Sequence, residues 1–178
     1  MMQSNSFLLY GANGYSGELI ARYAKLYELE PILAGRRKEI IAPLAGKLGL
    51  PYRVFDVDDT TALLAALREV KVVMNAAGPF QFTARQMIEA CLQTGTHYLD
   101  INGDIAVFEM IKRYDEAAKK AGIMLLPGAG FDVVPTDCLA LHLKKLLPDA
   151  VSLQLAFASV GGGLSHGTAT TMANKIGE

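Results

Sequence analysis

The chain has 178 residues, which is enough for one well-buried α/β domain and too few for two domains of typical size. Its 17 Lys and Arg residues against 18 Asp and Glu residues give a formal net charge of -1, which argues against nucleic acid or an anionic membrane surface as a partner. Charged residues interrupt every apolar run well before about 18 residues, the length that a membrane-spanning helix needs. We therefore expect a small-molecule substrate, no nucleic-acid partner and no membrane span.

The cysteine content is low, and the N-terminus has no charged and apolar export signal. Cys91 and Cys138 fall in predicted helices and have no metal-ligand spacing. These features predict a reducing, cytoplasmic location and no metal site.

Six short β-rich runs alternate with longer segments of helical periodicity. This pattern is typical of right-handed βαβ units on a parallel sheet that is covered on both faces. The predicted strands are 6–10, 31–35, 52–57, 71–77, 97–101 and 123–126. The prediction is an α/β fold, a Rossmann-type doubly wound parallel sheet over residues 1–149, with only the beginning of a second domain over 150–178.

The helical segments carry four more specific expectations. The first helix is expected to bury an apolar face on the sheet, formed by Leu19, Ile20, Tyr23, Leu26 and Tyr27. The second is expected to begin late, because Pro43 is tolerable only in a first turn. Asp58 or Asp59 is expected to cap the third helix, and one long helix is predicted from about 104 to Gly122.

After a predicted helix over about 135–147, residues 150–160 alternate apolar and polar side chains as a half-buried strand does. No partner strand for this segment exists in the sequence. Because open strand edges recruit partners, a homodimer through 150–160 is predicted.

The loop "GANGYSG" directly follows the first strand and precedes the first helix. This is the context in which such a loop binds a dinucleotide, because the N–H groups and the positive dipole end of the helix face the pyrophosphate. Gly11 permits the tight turn, and Gly14 lacks the side chain that would block a pyrophosphate. Gly17 lets helix and strand pack closely. The predicted cofactor-binding residues of the loop are Gly11, Asn13, Gly14, Tyr15, Ser16 and Gly17. The alternative is a tight turn whose glycines serve packing only.

The end of the second strand, "LAGRRK", distinguishes between the two dinucleotides. An NAD site usually carries an acidic residue here for the ribose hydroxyls, and this segment has none. Gly35 leaves room, and Arg36 or Arg37 offers a planar set of donors suited to a 2′-phosphate. The segment therefore favours NADP over NAD. The alternative is that the two arginines belong to a solvated basic loop and do not bind a cofactor.

Two further strand ends face the same crevice, where ligands of open parallel sheets bind. Asp56, next to Val57, is a candidate acceptor for the adenine amine, or else a cap for the following helix. Ala76, Ala77 and Gly78 in "NAAGPF" are small enough for the backbone to approach the ribose and nicotinamide.

Histidines and carboxylates provide weak candidates for chemistry. His97 and Asp100 point to opposite faces of the fifth strand, which argues against a proton relay and favours a structural role for His97. Asp132 and Asp137 flank Pro135, where capping or charging the helix start is favoured over acid catalysis.

Two histidines remain. His166 follows a glycine run at a predicted helix start, where it is a candidate to bind an anionic group, unless Ser165 simply caps the helix. His142 is interpreted as a packing or surface residue. No catalytic residue is assigned.

Six segments carry a resemblance to a known family. In chain order they are "GANGYSG", "AGR", "NAAGPF", "CLQTGTHYLDINGD", "PGAGFDVVPTDCLA" and "GGGLSHGTATTM". Together they resemble the saccharopine dehydrogenase-like family, which includes reductases that act in trans on enoyl groups of lipid precursors. The resemblance implies an NADP-binding Rossmann domain followed by a substrate domain, in chains about twice this long. This sequence would then end one helix into the second domain.

Two functions are consistent with these observations. The first is an NADP-dependent oxidoreductase of the saccharopine dehydrogenase-like type, which transfers hydride between NADP(H) and a C=N, C=C or C=O group of a small or lipid-derived substrate. The alternative is a non-catalytic NADP-binding or regulatory module that dimerises through 150–160.

Overall fold

The computed structural model describes residues 5–156 and 158, and these residues form a six-stranded parallel sheet. The strands are β1 Ser6–Tyr10, β2 Glu30–Gly35, β3 Tyr52–Val54, β4 Val72–Asn75, β5 His97–Asp100 and β6 Leu125–Leu126. Their order across the sheet is β3-β2-β1-β4-β5-β6. This is the doubly wound Rossmann order, with its crevice where the direction of winding reverses between β1 and β4. The predicted fold class is confirmed.

Helices cover the sheet between the strands. They are α1 Tyr15–Tyr23, α2 Lys38–Leu48, α3 Thr60–Leu67, α4 Ala84–Thr94, α5 Ile105–Lys112, α6 Asp115–Ala121 and α7 Val134–Leu146, with 3-10 turns at Ala24–Tyr27 and Phe80–Phe82. Asp59 caps α3, since its carboxylate accepts a hydrogen bond of 3.0 Å from the Ala62 N–H. Within the described part of the chain, none of these helices has the length and apolar composition to cross a bilayer.

The core lies on both faces of the sheet. On one face Leu8, Tyr10 and Val73 pack with buried side chains of α3 and α4. On the other, Leu9 and Leu33 pack with small and apolar residues of α1 and α2. Because neighbouring residues of a strand point to opposite faces, the apolar run of β1 is buried on both sides and forms the centre of the domain.

The helix α1 contacts the sheet differently from the expectation. Its buried residues are Gly17 and Ala21, followed by Ala24, whereas Leu26 and Tyr27 are 74% and 73% exposed. Leu19 and Tyr23 are exposed as well. The predicted apolar face was therefore wrong at four of its five positions, because the close approach of α1 to the sheet requires small residues at the contact. Only Ile20 packs partly against the core, as expected.

Two other helical predictions were also wrong. The helix α2 begins at Lys38, so Pro43 lies in its second turn. The proline is exposed there, and so is Glu39, whose carbonyl the proline leaves without an N–H partner. The long helix predicted from 104 to 122 is two helices, because the chain leaves helical geometry at Tyr114, whose hydroxyl donates to Glu89 on α4 at 2.8 Å.

The strand boundaries differ at β3, β4 and β6 and after α7. β4 ends at Asn75, two residues earlier than predicted. β3 ends at Val54, so that residues 55–57 form a loop, and β6 has only two residues. Residues 151–156 are exposed and form no strand, which contradicts that part of the predicted strand. Residues 157 and 159–178, with His166, lie outside the described residues, and the homodimer through 150–160 stays a prediction.

Candidate cofactor site

The loop after β1 meets the loop after β4 at Gly11. Gly11 has a left-handed φ of 82°, and its N–H donates to the Ala34 carbonyl at 2.9 Å. A Cβ at this position would lie 2.6 Å from the Ala77 nitrogen and 2.8 Å from the Ala76 carbonyl carbon. Both the conformation and the contact therefore require glycine.

The other two glycines of the loop differ from each other. A Cβ on Gly17 would lie 2.2 Å from the Gly11 carbonyl oxygen, so this residue lets α1 pack against the loop, as expected. A Cβ on Gly14 would meet only the Gly11 oxygen at 3.3 Å and the Ala76 oxygen at 3.9 Å. Packing thus explains Gly11 and Gly17, whereas Gly14 lies at a more open position, as the approach of a phosphate would need.

The first turn of α1 has no side-chain cap. Gly14 occupies the capping position in an extended conformation, and no side chain there accepts a hydrogen bond. Tyr15 is exposed and Ser16 is half-buried. A helix start whose first N–H groups lack a side-chain acceptor, next to a glycine loop, is suited to bind a phosphate.

The basic residues after β2 lie beside the loop after β3. The Arg36 guanidinium nitrogen Nη1 lies 3.8 Å from the Asp56 Oδ2 oxygen, and the arginine side chain is 72% exposed. Arg37 is exposed at the start of α2. Two arginine side chains at the carboxyl end of β2 are therefore accessible to a ligand in the crevice.

Gly35 does not leave open space, contrary to the expectation. A Cβ on Gly35 would lie 2.9 Å from the Ile41 Cδ1 atom and 3.1 Å from the Asn13 Oδ1 atom. The Asn13 side chain therefore extends from the glycine loop to the end of β2, where it and Ile41 occupy the space beside Gly35.

Asp56 does not cap α3, because Asp59 does. Its Oδ1 atom instead accepts a hydrogen bond of 3.2 Å from the Asp58 N–H, and the neighbouring Val57 is buried. Asp56 thus keeps its second oxygen toward Arg36, on the β3 side of the crevice.

The backbone of the loop after β4 is held by side chains. Asn75, at the end of β4, accepts a hydrogen bond of 3.1 Å from the Ala77 N–H, and Thr83 donates to the Ala77 carbonyl at 2.8 Å. Ala76 is half-buried, and Gly78 is exposed. The structure brings 76–77 against the glycine loop, and pairs Arg36 with Asp56 nearer the β3 edge.

A buried polar network next to this loop was missed by sequence reasoning. Tyr98 donates to the Asp100 Oδ2 oxygen at 2.7 Å and receives a hydrogen bond of 3.3 Å from the Asn75 amide. The signal was available, because residues two apart on a strand share a face. His97 points away from it and accepts from the Met124 N–H at 2.9 Å, so its structural role is confirmed.

The remaining candidates are on the surface. Asp137 lies in the first turn of α7, where its charge is favourable, as interpreted from the sequence. Asp132 and His142 are exposed. In the described ranges no group of histidine, cysteine and carboxylate side chains could hold a metal ion.

Burial raises the pKa of two tyrosines at the site. The pKa of Tyr98 lies well above 10, first because the hydroxyl is buried and second because Asp100 is close. Tyr98 therefore keeps its proton and acts as the donor to Asp100. The pKa of Tyr10 is raised to about 12, first by burial and second by the charge of Asp56.

We expect the pKa of Tyr10 to make the free energy of unfolding fall as the pH rises from about 10 to about 12. The unfolded tyrosine releases its proton near 10, whereas the folded one holds it until about 12, so the stabilisation is complete below the lower value and lost above the upper one. Urea unfolding measured across this range should show a shallower decline in Tyr10→Phe than in the wild type. Equal slopes would contradict the assignment.

Comparison with known proteins places the chain in a family. Residues 7–126 match the family described as the saccharopine dehydrogenase NADP binding domain. A saccharopine dehydrogenase-like oxidoreductase of Bos taurus is 24% identical over 176 residues, which cover 88% of this chain and 41% of the relative. A trans-acting enoyl reductase of Mycobacterium leprae is 32% identical over 146 residues, which cover 78% of this chain and 35% of the relative.

A solved structure has the same fold. Apo saccharopine dehydrogenase (L-Glu forming) from Saccharomyces cerevisiae superposes with a TM-score of 0.68 at 19% identity, covering 81% of this chain and 31% of that one. The chain spans less than half the length of the relatives that it matches. NADP is the cofactor of the matched family, as the segment after β2 predicted. The chain belongs to the saccharopine dehydrogenase NADP-binding domain family.

Proposed function

We propose that this chain is the cofactor domain of an NADP-dependent oxidoreductase and binds NADP(H) across the carboxyl edge of the sheet. The observation that carries the proposal is the contact of the Gly11 loop with the backbone of Ala76 and Ala77 at the point where the winding reverses. Ligands of doubly wound sheets bind in the crevice at this point.

Each part of the cofactor has a proposed set of residues. The pyrophosphate lies on the loop of Gly11, Asn13, Gly14, Tyr15, Ser16 and Gly17, where α1 begins without a side-chain cap. Arg36 and Arg37 bind the 2′-phosphate, and the loop of Asp56 and Val57 lies at the adenine. The ribose and nicotinamide half lies against Ala76, Ala77 and Gly78.

The proposed reaction is hydride transfer between NADP(H) and a C=N, C=C or C=O group of a small or lipid-derived substrate. The bound nicotinamide supplies the hydride chemistry. This chain's own residues bind and orient the cofactor, and the buried core beneath the crevice keeps water from one side of it. A relative that bears the name trans-acting enoyl reductase supports a lipid-derived substrate. Both cysteines are free, which fits the proposed cytoplasmic location.

The first test is dinucleotide binding by calorimetry. We expect NADPH to bind at least about tenfold more tightly than NADH, because only NADPH offers the 2′-phosphate to Arg36 and Arg37. Equal dissociation constants would contradict the role of the arginines. Absence of binding for both dinucleotides would contradict the proposed function.

The reaction itself requires a separate test. The full-length gene product should oxidise NADPH in the presence of enoyl, imine or carbonyl substrates. The loss of nicotinamide absorbance measures this oxidation. Tight NADPH binding without turnover of any of these classes would favour the alternative of a non-catalytic, NADP-binding regulatory module.

A further inference from the structure

Four buried polar side chains lie on β4, on β5 and in the loop after β5, outside the residues assigned to the cofactor. Asn75, Tyr98 and Asp100 are 0% exposed, and Asn102 is 1% exposed. Burying polar groups costs free energy unless they are hydrogen-bonded, so their partners indicate what the cluster holds.

At one end, Asp100 holds the loop that follows β6. Its Oδ1 oxygen accepts a hydrogen bond of 2.8 Å from the Gly128 N–H, and its backbone carbonyl accepts one of 2.7 Å from the Ala129 N–H. Gly128 has a φ of 70°, and a Cβ there would lie 2.9 Å from the Phe108 ring. The start of this loop is therefore fixed on the end of β5.

At the other end, Asn75 and Thr83 hold the peptide groups of Ala77. The Ala77 N–H donates to Asn75, and its carbonyl accepts from Thr83. The Asn75 amide in turn donates to the Thr83 hydroxyl at 3.1 Å. Both hydrogen-bonding groups of the Ala77 backbone thus depend on the orientation of two side chains.

Tyr98 joins the two ends, because its hydroxyl donates to Asp100 and accepts from Asn75. The Asp100 carboxylate accepts four hydrogen bonds, from the Tyr98 hydroxyl, the Gly128 N–H, and the backbone and side chain of Asn102. Among the described residues no lysine, arginine or histidine forms an ion pair with it. Loss of the tyrosine hydroxyl would leave a buried donor and a buried acceptor each with one partner fewer.

We propose that Tyr98 and Asp100 are positioning residues that hold the Ala77 peptide beside the nicotinamide half of NADP, and the loop at Gly128 next to it, in one fixed arrangement. The inference rests on the proposed function, which places the nicotinamide half against 76–78. The adenosine half is assigned to Arg36 and Asp56, on the far side of β1 from this network. Loss of the network should therefore weaken the interactions of the nicotinamide half more than those of the adenosine half.

The test compares two ligands on the folded chain. NADPH carries both halves, whereas adenosine 2′,5′-bisphosphate carries the adenosine half without nicotinamide. For Tyr98→Phe we expect the dissociation constant of NADPH to rise about fivefold, while that of adenosine 2′,5′-bisphosphate stays within about twofold of the wild type. A merely structural role would weaken both ligands in parallel.

A matched control is Tyr10→Phe, which removes the hydroxyl of the other buried tyrosine among the described residues. This hydroxyl donates to the Phe55 carbonyl at 3.4 Å near the proposed adenine end. Any change in this variant should be shared by both ligands. Asp100→Asn should give a larger loss of affinity, again selective for NADPH. Because the side-chain amide of asparagine would direct N–H donors at groups that now donate to the carboxylate, hydrogen exchange at the backbone amides of Gly128 and Ala129 should become faster.

The outcomes separate the two levels of inference. Parallel weakening of both ligands in Tyr98→Phe, or unchanged NADPH binding, would overturn the positioning role and leave the proposed function intact. If the wild-type chain binds neither ligand, the proposed function is wrong. Should Asp100→Asn not fold, the comparison with Tyr98→Phe still decides the question.

Discussion

Replacing Gly17 with alanine is expected to lower the free energy of unfolding by about 2–3 kcal/mol, in the range of other overpacked sites. The added Cβ would lie 2.2 Å from the Gly11 carbonyl oxygen and 2.9 Å from the Ala12 Cα atom. Because both neighbours are backbone atoms, no side-chain rotation can relieve the contact, and α1 must move off the loop. This movement displaces the first turn of the helix, so NADPH affinity should also fall by at least about tenfold.

Urea unfolding followed by circular dichroism measures the first effect, and calorimetry with NADPH measures the second. The matched control is Gly46→Ala, which makes the same chemical change inside α2, at a site where a Cβ meets nothing within 4 Å. Alanine should stabilise this helix by about 0.5–1 kcal/mol. If Gly17→Ala unfolds at the wild-type urea concentration, the close packing of α1 on the glycine loop is contradicted.

The double variant Arg36→Ala and Arg37→Ala is expected to weaken NADPH binding by about 100-fold, which corresponds to about 2.7 kcal/mol, while NADH binding changes by less than about twofold. Both arginines are exposed at the end of β2, and the assigned 2′-phosphate would accept charge-assisted hydrogen bonds from them. NADH has no such phosphate, so it has nothing to lose when the guanidinium groups are removed.

A control variant should separate this specific effect from the general loss of positive charge. Arg22→Ala removes an arginine that is paired with Glu18 on α1 and should leave the preference for NADPH unchanged. The single variants then assign the contribution of each arginine. An equal loss of NADPH and NADH affinity in the double variant would show that the arginines do not bind the 2′-phosphate.

The fold could be predicted because the relevant signals are local. The chain alternates short β-rich runs with helical segments, several of which end at a glycine. Right-handed crossovers then restrict the strand order to a few possibilities. The contact face of α1 could not be predicted in the same way. Periodicity marked Leu26 and Tyr27 as buried, yet the distance between helix and sheet is set by Gly17 and Ala21, whose small size carries little hydrophobic signal.

Gly35 illustrates a second limit of the sequence. Its lack of a side chain was interpreted as open space for a phosphate, whereas the space is filled by Ile41, six residues later, and by Asn13, which belongs to a different loop. The size of a residue can be read from the sequence, but its neighbours across the fold cannot.

The sequence alone was sufficient to place the glycine loop after β1 and the basic pair after β2 and to indicate NADP, because each depends on a few consecutive residues next to one strand. The arrangement of the loop after β4 was decided only by the tertiary structure. Asn75, Tyr98, Asp100 and Gly128 come from two strands and the loop after a third, and their hydrogen bonds span up to 28 positions of the chain. The fold brings these distant residues together and excludes water from their polar groups. Because water cannot serve as a partner there, the groups must form hydrogen bonds with one another.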